Sequence, residues 1–252
     1  FSAGEVSALA REAEAKARAT TPEEVLAELQ RGNTRFWTNS TSRPQRSAFE
    51  RRALVSKQFP SVAVLGCSDS RAPVEIVFDQ GLGDMFVVRN GGNVLDSTAL
   101  ASLQYAVHHL QVKVVLVMGH ELCGAVKAAM LPQESLEQEP PELEQLLTKI
   151  KVGLGEDRLR GLRDRRAQDR EAVTTNVLRQ VERLSRDVGI MAKVRRRELI
   201  ICGAFYEISS GVVDFVTAVG ENGLEEEEEE EPPSPLAAPG PSPSLAAASP
   251  PP

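Results

Sequence analysis

Short apolar runs without polar alternation recur along the chain. Ser61-Val62-Ala63-Val64-Leu65-Gly66 is the first, followed by runs at 85–88, 112–118 and 199–201. Strands buried on both faces read this way, since neither face meets water. Between them the period lengthens. Helices are predicted over 97–110, over 122–131 and from Arg170 to about Arg197, where Val173, Val177, Val181, Leu184, Val188 and Met191 recur at spacings of three and four. Strands alternating with helices predict an α/β fold, an open and mainly parallel β-sheet flanked by helices.

Before the first strand, Ser2-Ala3-Gly4-Glu5 predicts a capping box opening a helix through about Ala19. Val6, Leu9 and Ala13 give that helix a thin apolar stripe, as suits an arm lying on another surface. Thr21-Pro22-Glu23-Glu24 opens a second helix with Pro at its first position. Its buried face is Val25, Leu26 and Leu29, and Gly32 is expected to help end it. From about Gly223 an acidic block gives way to Pro, Ser and Ala, too little apolar surface to offset ordering entropy, so a disordered tail is expected there. The division is thus an N-terminal arm at 1–20, one α/β domain at 21–222 and a tail at 223–252.

Composition removes several classes of function. The net charge of -7 is matched by the acidic block Glu225 to Glu231 alone, so the folded part is near neutral and offers no basic face to nucleic acid. No apolar run approaches a membrane span. Three cysteines make no disulfide framework and suit a reducing, intracellular compartment. The Ala- and Pro-rich ends would suit an algal source and a chloroplast or other organelle, and Phe1 in place of Met suggests a trimmed N-terminus.

Candidate chemistry gathers after two of the strands. Cys67-Ser68-Asp69-Ser70-Arg71 follows the first apolar run and Gly119-His120-Glu121-Leu122-Cys123 the third. Open α/β sheets place their sites at these carboxyl ends. Two sulfurs and one imidazole make an incomplete tetrahedral zinc shell, and catalytic zinc sites are those with a fourth position open. Asp69 would accept a hydrogen bond from a water at that position. Left free it would ligate the metal itself, and the fork of Arg71 can restrain it. Each residue also has a plainer reading: a buried strand-end thiol for Cys67, a helix-start turn for His120 and Cys123, a loop ion pair for Asp69 and Arg71. Cys202 reads as core filling, His108 and His109 as surface-helix residues, and Arg89 as a loop or subunit contact. No strand is followed by Gly-x-Gly-x-x-Gly, so a nucleotide site is not expected.

The two motifs, together with Phe78 to Arg89 and Ala101 to Val107, resemble the β-class carbonic anhydrases, and the likeness runs from about Glu24 to Phe215. The resemblance implies zinc-dependent, reversible hydration of CO2 to bicarbonate and a proton by zinc-bound hydroxide. It implies Zn²⁺ held by Cys67, His120 and Cys123, with Asp69 and Arg71 as a catalytic dyad and Asp69 as fourth ligand only if the site is closed. It implies a homodimer or higher even oligomer, with the N-terminal arm embracing the partner. Two features depart from the pattern: where many plant-type members place a substrate-pocket glutamine this chain has Gly81, with Gln80 one residue early, and a bicarbonate site is incomplete. Some bacterial members hold an inhibitory bicarbonate with Trp, Arg and Tyr; Arg89 and Tyr206 match two of these, but Val64 stands at the Trp position. Hydrolysis of CS2 or COS on the same fold, or a catalytically silent zinc-binding scaffold, are the alternatives.

Overall fold

The computed structural model describes residues 3–42, 47–155, 159 and 161–220. The tail predicted from Gly223 and the cap predicted at Ser2 lie outside the described residues. Helix α1 (Ala3–Ala19) lies against α3 (Ala48–Ala53), and Lys57 Nζ sits 2.7 Å from Glu14 Oε1 beside them. Between them runs α2 (Pro22–Trp37). Thr21 caps it by a reciprocal pair: its hydroxyl accepts from the Glu24 N–H at 3.2 Å, and its own N–H donates to the Glu24 carboxylate at 2.8 Å.

Gly32 does not end α2, as expected from sequence, but lies within it. A Cβ there would stand 2.0 Å from the Phe78 carbonyl oxygen, so the glycine serves close approach instead. The next residue, buried Asn33, donates to Val77 O at 3.2 Å and Gly211 O at 2.9 Å, and accepts from Val213 N at 2.9 Å. Every polar group of that amide is thereby used to tie α2 to the helix at 74–77 and to the chain entering the strand at 213–219.

The rest alternates as the apolar runs require: β1 (Val62–Cys67), α4 (Val74–Val77), β2 (Met85–Asn90), α5 (Ser97–Tyr105, prolonged by a π-turn to Leu110), β3 (Val114–His120), α6 (Gly124–Ala129), α7 (Gln133–Leu136), α8 (Pro141–Lys151), α9 (Arg165–Ser185), α10 (Val188–Arg195), β4 (Ile200–Tyr206) and β5 (Val213–Val219). The sheet order is β2-β1-β3-β4-β5, parallel except for β5, which runs antiparallel to β4. Every residue of β1 and β3 is buried, because helices cover both faces. Ala63, Leu65, Val115 and Val117 face α5, α9 and α10, while Val62, Val64, Val114 and Leu116 face α2 and α4.

Two expectations need correction. The long helix from Arg170 to Arg197 is two helices, and the first begins at Arg165. Asp187 separates them, accepting from Ile190 N at 2.8 Å as an N-cap and from Gln104 Nε2 at 2.7 Å. Both helices face the same core, but Val188, expected in the apolar stripe, is 79% exposed where the second begins, and Ile190, Met191 and Val194 bury themselves instead. The helix expected from Leu122 starts at Gly124, since Leu122 has φ +52. Strand β5 escaped the sequence reading; it is an edge strand whose half-buried residues show no clean period. Among the described residues no helix is long and apolar enough to cross a membrane.

Helix α9 approaches β3 and β4 where both lack a Cβ. At Gly119 a Cβ would stand 2.5 Å from Val173 Cγ1 and 2.8 Å from Val177 Cγ2; at Gly203 it would stand 2.7 Å from Val177 Cγ1. Gly119→Ala is therefore expected to lift α9 and cost about 1–3 kcal/mol, as overpacking does. Urea denaturation measures this, and an unchanged midpoint would show that α9 has room to spare.

Candidate metal centre

Parallel pairing of β1 with β3 brings their carboxyl ends side by side, with Gly66 opposite Met118. Cys67 ends the first strand and His120 the second. The turn at Glu121 and Leu122 then doubles the chain back, so that Cys123 returns as the N-cap residue of α6. All three side chains are buried, and their donor atoms lie within 4.8 Å of one another. The two sulfurs are 3.9 Å apart. Sulfurs about 2.3 Å from a tetrahedral ion stand about 3.8 Å from each other, so the spacing suits zinc.

The imidazole fits as well. His120 Nδ1 lies 3.0 Å from Glu121 O, which can only accept, so the ring proton belongs on Nδ1. Nε2 is left as a buried lone pair without a hydrogen-bond partner. An orphaned buried acceptor costs about 1–3 kcal/mol, and a cation removes that penalty. The residues present therefore form a Cys/His/Cys cluster compatible with zinc.

Charge in the cluster follows from burial and proximity. A hydrogen bond from Cys123 lowers the Cys67 pKa against burial, helped by His120 and by the N–H groups of Asp69 and Gly92, the latter 3.4 Å from the sulfur. The same hydrogen bond, with burial, raises Cys123. A dication bound there would displace the proton between the sulfurs, because thiolates rather than thiols ligate metals. Burial disfavours a protonated His120, but Cys67, the Glu121 carbonyl and the Asp69 carboxylate together outweigh it and raise the ring's pKa.

Asp69 sits at the rim, its side chain 18% exposed. Arg71 grips it through Nε to Oδ1 at 2.9 Å and Nη2 to Oδ2 at 2.7 Å, and the Arg71 N–H adds a third bond at 2.9 Å. These bonds, Arg71's guanidinium first, hold the carboxyl well below the usual carboxylate range. Asp69 Oδ2 is nevertheless 3.8 Å from His120 Nε2, so the restrained group borders the cluster. Beneath the loop, Arg89 Nε donates to Cys67 O at 2.8 Å and Nη2 to Asp69 O at 2.6 Å. Arg89 is thus a loop-holding residue, one of the two roles expected of it.

Some residues around the site were not legible in sequence. Asn176 donates to Gly92 O at 2.8 Å, and Gln180 joins it by accepting from Leu95 N at 3.0 Å. Two amides inside the apolar stripe of α9 were a usable signal. Asp169, whose Oδ2 accepts from Leu122 N at 2.8 Å, had none. Elsewhere, Cys202 is fully buried in β4, its thiol pushed up to about 12 by burial, as core filling requires. His108 and His109 are exposed on the π-turn, with His109 stacked on Tyr105 at 5.2 Å.

Comparison with known proteins agrees with the geometry. The family described as carbonic anhydrase matches residues 62–213. Carbonic anhydrase 2 of Mycobacterium tuberculosis is 47% identical over 111 residues, covering 44% of this chain and 54% of that protein. The chain therefore spans about half the length of that relative. The carbonic anhydrase of Mycolicibacterium smegmatis is 34% identical over 196 residues, covering 77% of this chain and 93% of the relative. A solved structure from a study of two tetrameric β-carbonic anhydrases of Sordaria macrospora matches with a TM-score of 0.61 and 27% identity, over 65% of this chain and 84% of that one.

Zinc binding is expected to release protons, so affinity should strengthen between about pH 6 and about pH 8. Competition against a chelator at stepped pH measures this. An affinity independent of pH would argue against thiol ligands, as would a Cys67→Ser variant that keeps stoichiometric zinc through dialysis.

Proposed function

The chain belongs to the β-class carbonic anhydrase family, and from that premise we propose that it catalyses reversible hydration of CO2 to bicarbonate and a proton. The observation that carries the reading is a three-donor cluster bordered by a carboxylate clamped to a guanidinium. Cys67, His120 and Cys123 would hold Zn²⁺. When bound, the metal supplies a water acidic enough to react near neutral pH.

The chain's own residues would do the rest. Asp69, kept ionised by Arg71, remains an acceptor throughout the neutral range and orients the attacking water toward the carbon of CO2. Arg71 keeps that carboxylate from taking the metal's fourth position, which would close the site. The product proton passes to buffer. The clamped carboxylate favours this reading over a silent zinc-binding scaffold, which has no use for one. The relatives above favour it over hydrolysis of CS2 or COS.

A homodimer or higher even oligomer belongs to the proposal. Strand β2 is a sheet edge with part-exposed Phe86, Val87 and Val88, and exposed Tyr105, its ring 6.2 Å from that of Phe86, adds to the apolar surface there. The arm at 1–20 would embrace the partner, the unit at 21–222 would carry the chemistry, and the tail at 223–252 would be dispensable for it. Cys67, Cys123 and Cys202 form no disulfide with one another, which suits a reducing intracellular compartment.

Stopped-flow CO2 hydration by the zinc-loaded chain tests the assignment. Arg71→Ala is expected to lower kcat/KM by about 10–100-fold with zinc still bound, the usual effect of freeing a group that orients metal-site chemistry. Zinc-replete protein that leaves CO2 untouched but releases sulfide from COS would overturn the reading.

A further inference from the structure

We propose that Asp169 is a positioning residue for the reaction assigned above. In this role it holds Leu122 in a left-handed conformation and thereby sets both Cys123 and Arg71. The inference rests on that functional reading and deepens it.

Leu122 stands between the two ligands of the second motif with φ +52. A residue with a Cβ pays about 1–2 kcal/mol to sit there. Its own side chain does not hold it, being 52% exposed. The restraint comes through its peptide groups. The Leu122 N–H donates to Asp169 Oδ2 at 2.8 Å, and the Leu122 carbonyl accepts from Arg71 Nη2 at 3.3 Å. The preceding residue is tied separately: Glu121 N donates to Tyr206 O at 2.8 Å, and the Glu121 carboxylate accepts from Ser209 N at 3.0 Å. Glu121 is thus secured by the β4 side of the sheet, and Leu122 by α9.

The placement has a chemical consequence. Arg71 grips Asp69 and the Leu122 carbonyl with the same Nη2 atom, so the orientation of the Leu122 peptide bears on the dyad. Cys123 follows immediately, so that orientation also bears on where its sulfur lies relative to Cys67. Without Asp169 the Leu122 N–H loses its acceptor, and the peptide is free to relax toward negative φ. Its carbonyl would then swing off Arg71, and Cys123 would shift with it.

The test compares Asp169→Ala, Asp169→Asn and Asp169→Ala combined with Leu122→Asn, each loaded with zinc for kinetics and with Co²⁺ for spectra. The alanine variant is expected to lose about 10–100-fold in kcat, with KM changing less and the thiolate-to-cobalt charge-transfer band shifted. Asparagine at 169 keeps an acceptor and should stay within a few-fold of the unaltered chain. Asparagine at 122 tolerates positive φ, so the double variant should recover most of the loss. An Asp169→Ala variant with unaltered kcat and band overturns the proposal. So does a double variant as impaired as the single one, or an asparagine variant as impaired as alanine. If Asp169→Ala does not fold, Asp169→Leu, of similar shape but unable to accept, replaces it. If the unaltered zinc-loaded chain is inactive, the functional reading fails, while the cobalt band still tests the positioning role.

Discussion

Parallel pairing of β1 with β3 is the constraint on which the rest of the molecule depends. Both strands are buried along their whole length, so their backbone groups are satisfied by the sheet and their side chains by helices on either face. Side chains alternate along a strand, so a slip of one residue would turn Cys67 or His120 to the opposite face. The register therefore sets the metal cluster directly. It also places Gly119 under α9, and α9 carries Asn176 to the Gly92 carbonyl and Asp169 to the Leu122 amide. Seating the helix and building the site are one act of packing.

On that scaffold, two guanidinium groups divide the work of shaping one loop. Arg89 holds the carbonyls of Cys67 and Asp69 and so fixes the backbone that leaves β1. Arg71 holds the Asp69 carboxylate and reaches the carbonyl of Leu122. It thus joins the two segments that carry the Cys/His/Cys cluster. An ion pair this exposed adds little to stability. Its effect is geometric: it aims a charged oxygen at the mouth of a buried cluster and keeps it from entering. Inside, the sulfurs of Cys67 and Cys123 and the Nε2 of His120 converge within 4.8 Å of one another, a donor set that suits a divalent cation.

What could be read from sequence follows from how local each signal is. Strands β1 and β3 announced themselves because burial on both faces leaves an unbroken apolar run. The capping box at Thr21 was equally plain, since both of its partners lie within one turn. The Asp69–Arg71 clamp was legible because the two residues are separated by one position on a loop. Gly32 was misread because a glycine needed for close approach to Phe78 looks, in one dimension, like a glycine that ends a helix.

By itself, then, the sequence determined the succession of strands along the chain, the three side chains of the Cys/His/Cys cluster and the restrained carboxylate. Each is written in adjacent residues or in a pattern of burial that repeats over a few positions. The tertiary structure alone decided the break at Asp187, the antiparallel β5 and the part played by Asp169. These depend on which surface meets which after folding: Asp187 caps α10 and also meets Gln104, and Asp169 reaches a peptide 47 positions away. No local pattern records such a meeting, because the free energy that selects it arises only when the helix is already on the sheet.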